Sequence, residues 1–110
     1  MDDRKNGIQN ALRYIEDNLT AELEIGEIAK RAYVSPFYFQ RIFAALCGMG
    51  VGEYIRCRRL TLAGEELLRT DRNVGEIAME CGYNSISNFN RSFKAITGQT
   101  PVAYRKANRE

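Results

Sequence analysis

The chain has 110 residues, of which 45% are hydrophobic and 27% charged, and its formal net charge is +2. These values are typical of one globular domain with a core of ordinary size. The chain contains no run of about 18 apolar residues and no apolar N-terminal stretch of the kind that forms a signal peptide. We therefore expect a cytoplasmic protein without a membrane partner.

Histidine is absent, and the three cysteines are Cys47, Cys57 and Cys81. The cysteines lack the paired spacing of zinc ligands, and there is no histidine to complete such a site. Their odd number favours reduced thiols over a disulfide framework. The sequence thus predicts no metal and no cofactor.

The first half of the chain has the periodicity of helices. Apolar residues at helical spacing predict an N-terminal helix through Ile8, Ala11, Leu12, Ile15 and Leu19, and a short helix through Ile25, Ile28, Ala29 and Ala32. A third helix is predicted to begin at Ser35 and Pro36, the N-cap and the first helical residue. Its expected buried stripe is Phe39, Ile42, Phe43 and Leu46, and Gly48 ends it. A long helix from about 52 to 69 follows.

The second half repeats the first. Gly26-Glu27-Ile28-Ala29 recurs 49 residues later as Gly75-Glu76-Ile77-Ala78, and after the next turn the offset becomes 50 because one residue is inserted. Gly82 is the expected C′ residue of the short helix, and Ser85 the N-cap of the next one. That helix should bury Phe89, Phe93 and Ile96 and end at Gly98, after which Thr100 and Pro101 begin a last short helix.

These elements predict an all-α, homeodomain-like fold of about seven helices within a single domain, residues 1–110. Two helix-turn-helix subdomains, about 7–50 and about 73–108, are joined by the linker helix of about 52–69. In DNA-binding proteins with this motif, the second helix of each unit enters the major groove. The sequence therefore predicts sequence-specific binding of double-stranded DNA in two adjacent major-groove segments.

The outward face of each second helix carries the candidate base-contacting residues. They are Phe37, Gln40 and Arg41 in the first unit, and Ile86, Ser87, Asn88, Asn90 and Arg91 in the second. Glutamine pairs with adenine and arginine with guanine, and an apolar side chain contacts the thymine methyl group. The same residues also suit an ordinary solvated surface. The equivalent outward positions of Arg41 and Arg91 favour DNA.

Other functions fit the sequence less well. An enzyme is disfavoured because there is no histidine, no glycine-rich phosphate loop and no nucleophile elbow. A helical protein-interaction module that does not bind DNA is the alternative, but its groove would expose more Leu and Met. RNA binding is the least favoured of the binding functions considered, since no stacking platform for single strands is evident.

The chain resembles the DNA-binding domain of the AraC/XylS family of bacterial transcription regulators. The motifs that carry the resemblance are Gly82-Tyr83, Ser87-Asn88-Phe89, Arg91, Phe93-Lys94, Gly98, Thr100-Pro101 and Tyr104-Arg105, with Tyr54-Ile55, Arg59-Leu60, Ala63 and Leu67-Leu68 upstream. The resemblance implies two helix-turn-helix units on one rigid central helix, and base contacts at the residues named above.

Two further expectations come from this resemblance. A transcription regulator implies RNA polymerase as a partner. Most family members are longer and carry an effector-sensing domain, so the chain is expected to be the N-terminal part of a longer regulator or a short regulator in its own right. A small-molecule effector would then act only through a domain that is not part of this chain.

Overall fold

The computed structural model describes residues 3–109, with side chains from residue 7 onward; residues 1, 2 and 110 of the predicted domain lie outside it. This part of the chain is all-α, as predicted. Its seven helices are α1 (Asp3–Asp17), α2 (Ile25–Arg31), α3 (Pro36–Cys47), α4 (Val51–Arg69), α5 (Val74–Glu80), α6 (Ile86–Thr97) and α7 (Pro101–Asn108). None of the helices in residues 3–109 is long and apolar enough to span a membrane.

The chain forms two compact units, Met1–Arg56 and Cys57–Glu110. The division falls inside α4, so the first unit contains α1, α2, α3 and the start of α4, and the second contains the rest of α4 with α5, α6 and α7. In the first unit α2 packs against both α1 and α3; in the second α6 packs against both α5 and α7.

The two cores are built from the same kinds of residue. In the first unit the tilted rings of Phe39 and Phe43 lie 5.7 Å apart, and Tyr54 meets Phe43 edge-on at 5.5 Å. In the second the Phe89 and Phe93 rings lie 5.8 Å apart, and Tyr104 meets Phe93 edge-on at 5.2 Å. Small and branched residues of the preceding helices complete each core: Ile8, Ala11, Ile15, Ile28 and Ala29, then Leu60, Ala63, Leu67, Ile77 and Ala78.

The helix ends follow the local signals in the sequence. The Oγ atoms of Ser35 and Ser85 accept hydrogen bonds from the backbone N–H groups three residues later, which satisfies one of the free donors of α3 and of α6. Thr100 caps α7 in the same way. Gly48 and Gly98 end α3 and α6 in the left-handed conformation. These predicted boundaries are confirmed.

The extent of the buried stripes was predicted wrongly. Leu46 is 65% exposed and Ile96 is 51% exposed, and Ile42 is only half-buried. Leu46 and Ile96 lie in the last turns of α3 and α6, one turn beyond the buried phenylalanines. Helical periodicity places a residue on a face of the helix, but it does not show how far neighbouring helices cover that face.

Arginines of the C-terminal segment bind the end of α4. The Arg105 guanidinium donates to the carbonyl oxygens of Leu67 (2.8 Å), Thr70 (3.1 Å) and Arg72 (2.7 Å). Arg109 donates to the Thr70 carbonyl at 3.0 Å. The last carbonyls of a helix have no partner within it, and cationic donors also interact favourably with the negative end of the helix dipole. Arg105, noted in the sequence only for its family resemblance, is therefore a structural residue.

Candidate nucleic-acid interface

Helix α3 turns one face to the core and leaves the other exposed. Phe39 and Phe43 are fully buried, so the predicted site residues lie opposite them. Phe37 is 71% exposed, and Gln40 and Arg41 are exposed as well. The structure thus brings together, on the accessible face of the second helix of this unit, the three residues predicted there.

Helix α6 is arranged in the same way around Phe89 and Phe93. The exposed site residues are Ile86, Ser87, Asn88 and Arg91. Asn90 differs from the expected outward position, because it is half-buried and its Oδ1 atom is buried without a hydrogen-bond partner. Asn90 follows fully buried Phe89 directly, and this places it at the border of the packed face.

Each candidate arginine contacts a side chain one helical turn before it. The guanidinium carbon of Arg41 lies 5.8 Å from the centroid of the Phe37 ring, within the range of a cation–π contact. The Nη1 atom of Arg91 donates to Oδ1 of Asn88 at 3.5 Å, a long hydrogen bond. Both contacts are exposed, so they orient the arginine without withdrawing its charge from solvent.

Several cations elsewhere in the described structure are paired with carboxylates. Arg72 contacts Glu66, Glu76 and Glu80, the last at 2.8 Å. The hydrogen bond and charge of Glu80, and then those of Glu66, raise the pKa of its guanidinium. Lys30 pairs with Glu27, and Arg109 with Asp71. Arg41 and Arg91, in contrast, have no carboxylate within ion-pair distance among the described side chains. Their charge is therefore available to an external anion such as a phosphate or to a polar base edge.

The three cysteines are free thiols, and Cys81 is buried. Between residues 3 and 109 there is no group of three or more potential metal ligands close enough to hold an ion.

Each of the two helix-turn-helix units has an exposed arginine, without a carboxylate partner among the described side chains, on the free face of its second helix. This arrangement defines the class of DNA-binding helix-turn-helix proteins. The family model described as "Helix-turn-helix domain" matches residues 28–107. The chain is 40% identical over 98 residues to the regulatory protein SoxS of Salmonella typhimurium strain LT2, a match covering 89% of this chain and 92% of SoxS. The chain belongs to the AraC-type family of DNA-binding transcription regulators.

Solved structures agree with this assignment. A transcriptional regulator from Chromobacterium violaceum with an AraC-type DNA-binding domain shares the fold, with a TM-score of 0.87 and 24% identity over 93% of this chain and 91% of that one. The DNA-binding domain of AdpA, solved in complex with a target DNA, has a TM-score of 0.83 and 28% identity over 91% of this chain and 90% of its own. The protein is thus a transcription regulator and not an enzyme, and the alternative of an interaction module without DNA binding is not retained.

Proposed function

We propose that the chain recognises a specific double-stranded DNA sequence by placing α3 and α6 in adjacent segments of the major groove. The observation that carries this proposal is the equivalent position of Arg41 and Arg91, both exposed and both without an acidic partner among the described side chains. The proposal is supported by similarity to AdpA, whose DNA-binding domain was solved bound to a target DNA.

In the first unit Gln40 and Arg41 are the proposed base readers. Glutamine forms two hydrogen bonds with adenine and arginine two with guanine. The Phe37 ring, exposed beside Arg41, would contact a thymine methyl group or a deoxyribose. Because the ring also contacts the guanidinium, it would hold Arg41 toward the groove.

In the second unit most of the proposed DNA-contacting side chains are shorter than those in the first. Ser87 and Asn88 offer small polar groups near the helix N-terminus, Arg91 a guanidinium one turn later, and Ile86 an apolar contact. Asn90 is retained as a candidate, because a rotation of its side chain would exchange an unpartnered buried Oδ1 for a contact with DNA. The two faces differ in chemistry, so the two halves of the DNA site are expected to differ in sequence.

RNA polymerase is the proposed protein partner, since regulation of transcription acts on that enzyme. The cytoplasm, where the bacterial chromosome lies, is the proposed place of action. The expectation that the chain is the N-terminal part of a longer, effector-responsive regulator stays a prediction.

Selection of bound duplexes from a random library tests the proposal. We expect one enriched site of two parts whose centres are about 10 base pairs apart, within a single-chain footprint of about 20 base pairs. Replacing either half by random sequence should weaken binding, and the Arg91→Ala variant should lose preference only in one half. Failure to enrich any sequence, or a site shorter than one helical turn, contradicts the proposal.

A further inference from the structure

A cleft opens in the second unit between α4, α6 and α7. Its volume is about 220 Å³. The walls are mostly apolar and include Leu60, Leu68, Phe93 and Ile96. The exposed side chain of Ile96, which was expected in the core, forms part of this wall. None of the candidate DNA-contacting residues lines the cleft, and the function proposed above does not use it.

Gly64 is the residue that leaves this space open. The buried residues of α1 and α4 follow one pattern, with Ile8, Ala11 and Ile15 in the first unit corresponding to Leu60, Ala63 and Leu67 in the second. In this alignment Leu12 corresponds to Gly64. The atoms nearest to a Cβ atom on Gly64 would be those of the Tyr104 and Phe93 side chains, at 3.7 and 3.8 Å, which is ordinary van der Waals contact. The first unit therefore has a leucine where the second has a gap.

Two polar groups of the cleft have no partner in this part of the structure. The hydroxyls of Thr61 and Thr97 donate to main-chain carbonyls of their own helices, at 2.9 and 2.8 Å. The Tyr104 hydroxyl and the Glu65 carboxylate, in contrast, make no hydrogen bond or ion pair with the described side chains. In the first unit the equivalent Tyr54 hydroxyl donates to Glu16 at 3.0 Å, and the residue that aligns with Glu16 is the apolar Leu68.

We propose that this cleft binds a compact hydrophobic ammonium ion, with an aromatic or branched aliphatic group in the space beside Gly64 and its N–H donors toward Glu65 and Tyr104. Glu65 is the only ionised residue of the lining, so the cleft is complementary to a cation. Its volume is below the roughly 300–1,000 Å³ of sites for drug-sized ligands, and it therefore suits a ligand of about ten non-hydrogen atoms. This site lies within the chain itself, whereas the sequence led us to expect an effector only through another domain.

The 2-phenylethylammonium ion is a suitable probe. Titration followed by two-dimensional NMR should give saturable shifts of residues around Gly64 and Tyr104, with a Kd on the order of 0.1–1 mM, as ligands of this size allow. Neutral 2-phenylethanol and anionic 3-phenylpropionate should bind several-fold more weakly or not at all. Equal binding of the three compounds, or no saturable shift at concentrations well above that Kd, overturns the proposal.

Variants locate the site. Gly64→Leu should abolish binding, because the added side chain would occupy the space beside Tyr104 and Phe93. Glu65→Gln, an exposed change that leaves the fold intact, should weaken binding by about threefold to tenfold, the range of an exposed to partly desolvated charge contact. Glu53→Gln, a change at another exposed carboxylate of α4 but in the first unit, is the matched control and should bind as the wild type does. Unchanged affinity in Glu65→Gln overturns the proposal even if Gly64→Leu does not fold. DNA affinity is a separate measurement, and its outcome does not bear on this site.

Discussion

Tyr33 and Gly82 occupy the same position in the turns of the two helix-turn-helix units, and both have a positive φ, 61° and 88°. Each follows the C-cap of its short helix, Ala32 in one unit and Cys81 in the other. Glycine adopts this conformation without a steric penalty, whereas a residue with a Cβ atom is strained there by about 1–2 kcal/mol. The first unit thus carries strain that the second avoids.

Tyr33→Gly is expected to stabilise the protein. The relief of strain exceeds the roughly 0.5–1 kcal/mol that glycine costs through its greater freedom in the unfolded chain, and few contacts are lost because Tyr33 is 81% exposed. The net gain should reach up to about 1 kcal/mol in the free energy of unfolding, measured by urea denaturation. Tyr33→Ala is the control: it removes the ring, keeps the Cβ atom and should give no gain. If the glycine and alanine variants behave alike, strain at Tyr33 is not the cause.

Arg105→Ala is expected to destabilise the second unit by about 2–4 kcal/mol, because three part-buried carbonyl oxygens lose a charged donor together. Arg105→Lys should restore only part of this, since an ammonium group does not reproduce the planar array of donors. Lys106→Ala, next in the chain and exposed, should change stability by less than about 0.5 kcal/mol. Thermal and urea denaturation measure all three. Equal stability of the Arg105 and Lys106 alanine variants would refute the structural role of Arg105.

Replacing glycine by alanine should lower the free energy of unfolding at one helical glycine and raise it at another. A Cβ atom on Gly7 would lie 2.8 Å from the main-chain oxygen of Ala32, where α1 approaches the end of α2, so Gly7→Ala should cost roughly 1–3 kcal/mol. A Cβ atom on Gly64 fits in ordinary contact, and Gly64→Ala should gain about 0.5–1 kcal/mol from helix propensity. Unfolding curves of the two variants decide this, and a loss at position 64 would mean that the cleft cannot accept a methyl group.

Arg41→Ala and Arg91→Ala are expected to weaken DNA binding without changing the fold. Loss of an arginine that pairs with guanine should cost about 1–3 kcal/mol of binding, confined to one base position. Loss of a phosphate contact should weaken binding to all sequences evenly, and should reduce by about one the slope of the logarithm of affinity against the logarithm of salt concentration. Salt titrations by fluorescence anisotropy, on the intact site and on sites mutated in one half, separate the two roles. Circular dichroism checks the fold. Wild-type affinity and slope in both variants would show that these helix faces are merely solvated.

Burial raises the pKa of the Cys81 thiol to about 11, and the Glu80 carboxylate adds to the rise. The thiol of the folded protein therefore stays protonated where that of the unfolded chain, near its ordinary value of 9.0, ionises. The contribution to stability is complete below pH 9 and is lost as the pH rises toward about 11. Between pH 9 and about 11, the free energy of unfolding measured by urea denaturation should therefore fall less in the Cys81→Ala variant than in the wild type. Iodoacetamide at pH 8 should leave Cys81 unmodified until the protein unfolds, and rapid labelling of the native protein would contradict this.

The helices and their ends were determined by the sequence itself, because the forces that define them act between residues close in the chain. Ser35 and Ser85 bind backbone groups three residues away, Gly48 and Gly98 end helices by their own conformation, and the aromatic pairs lie one turn apart. The repeat then predicts two like units. Exposure of Phe37, Gln40, Arg41 and most of the second set followed from the same periodicity, and their contacts with DNA remain a prediction.

What only the tertiary structure decided depends on residues far apart in the chain. The exposure of Leu46 and Ile96 depends on whether another helix covers the last turn of α3 or α6, and periodicity carries no information about that. Arg105 binds carbonyls of a segment 33 to 38 residues earlier, a distance at which no local pattern operates. The gap beside Gly64 exists because helices brought together by the fold leave a volume that none of their side chains fills. Packing and long-range hydrogen bonds are properties of the folded unit, and for this reason no single segment of the sequence predicts them.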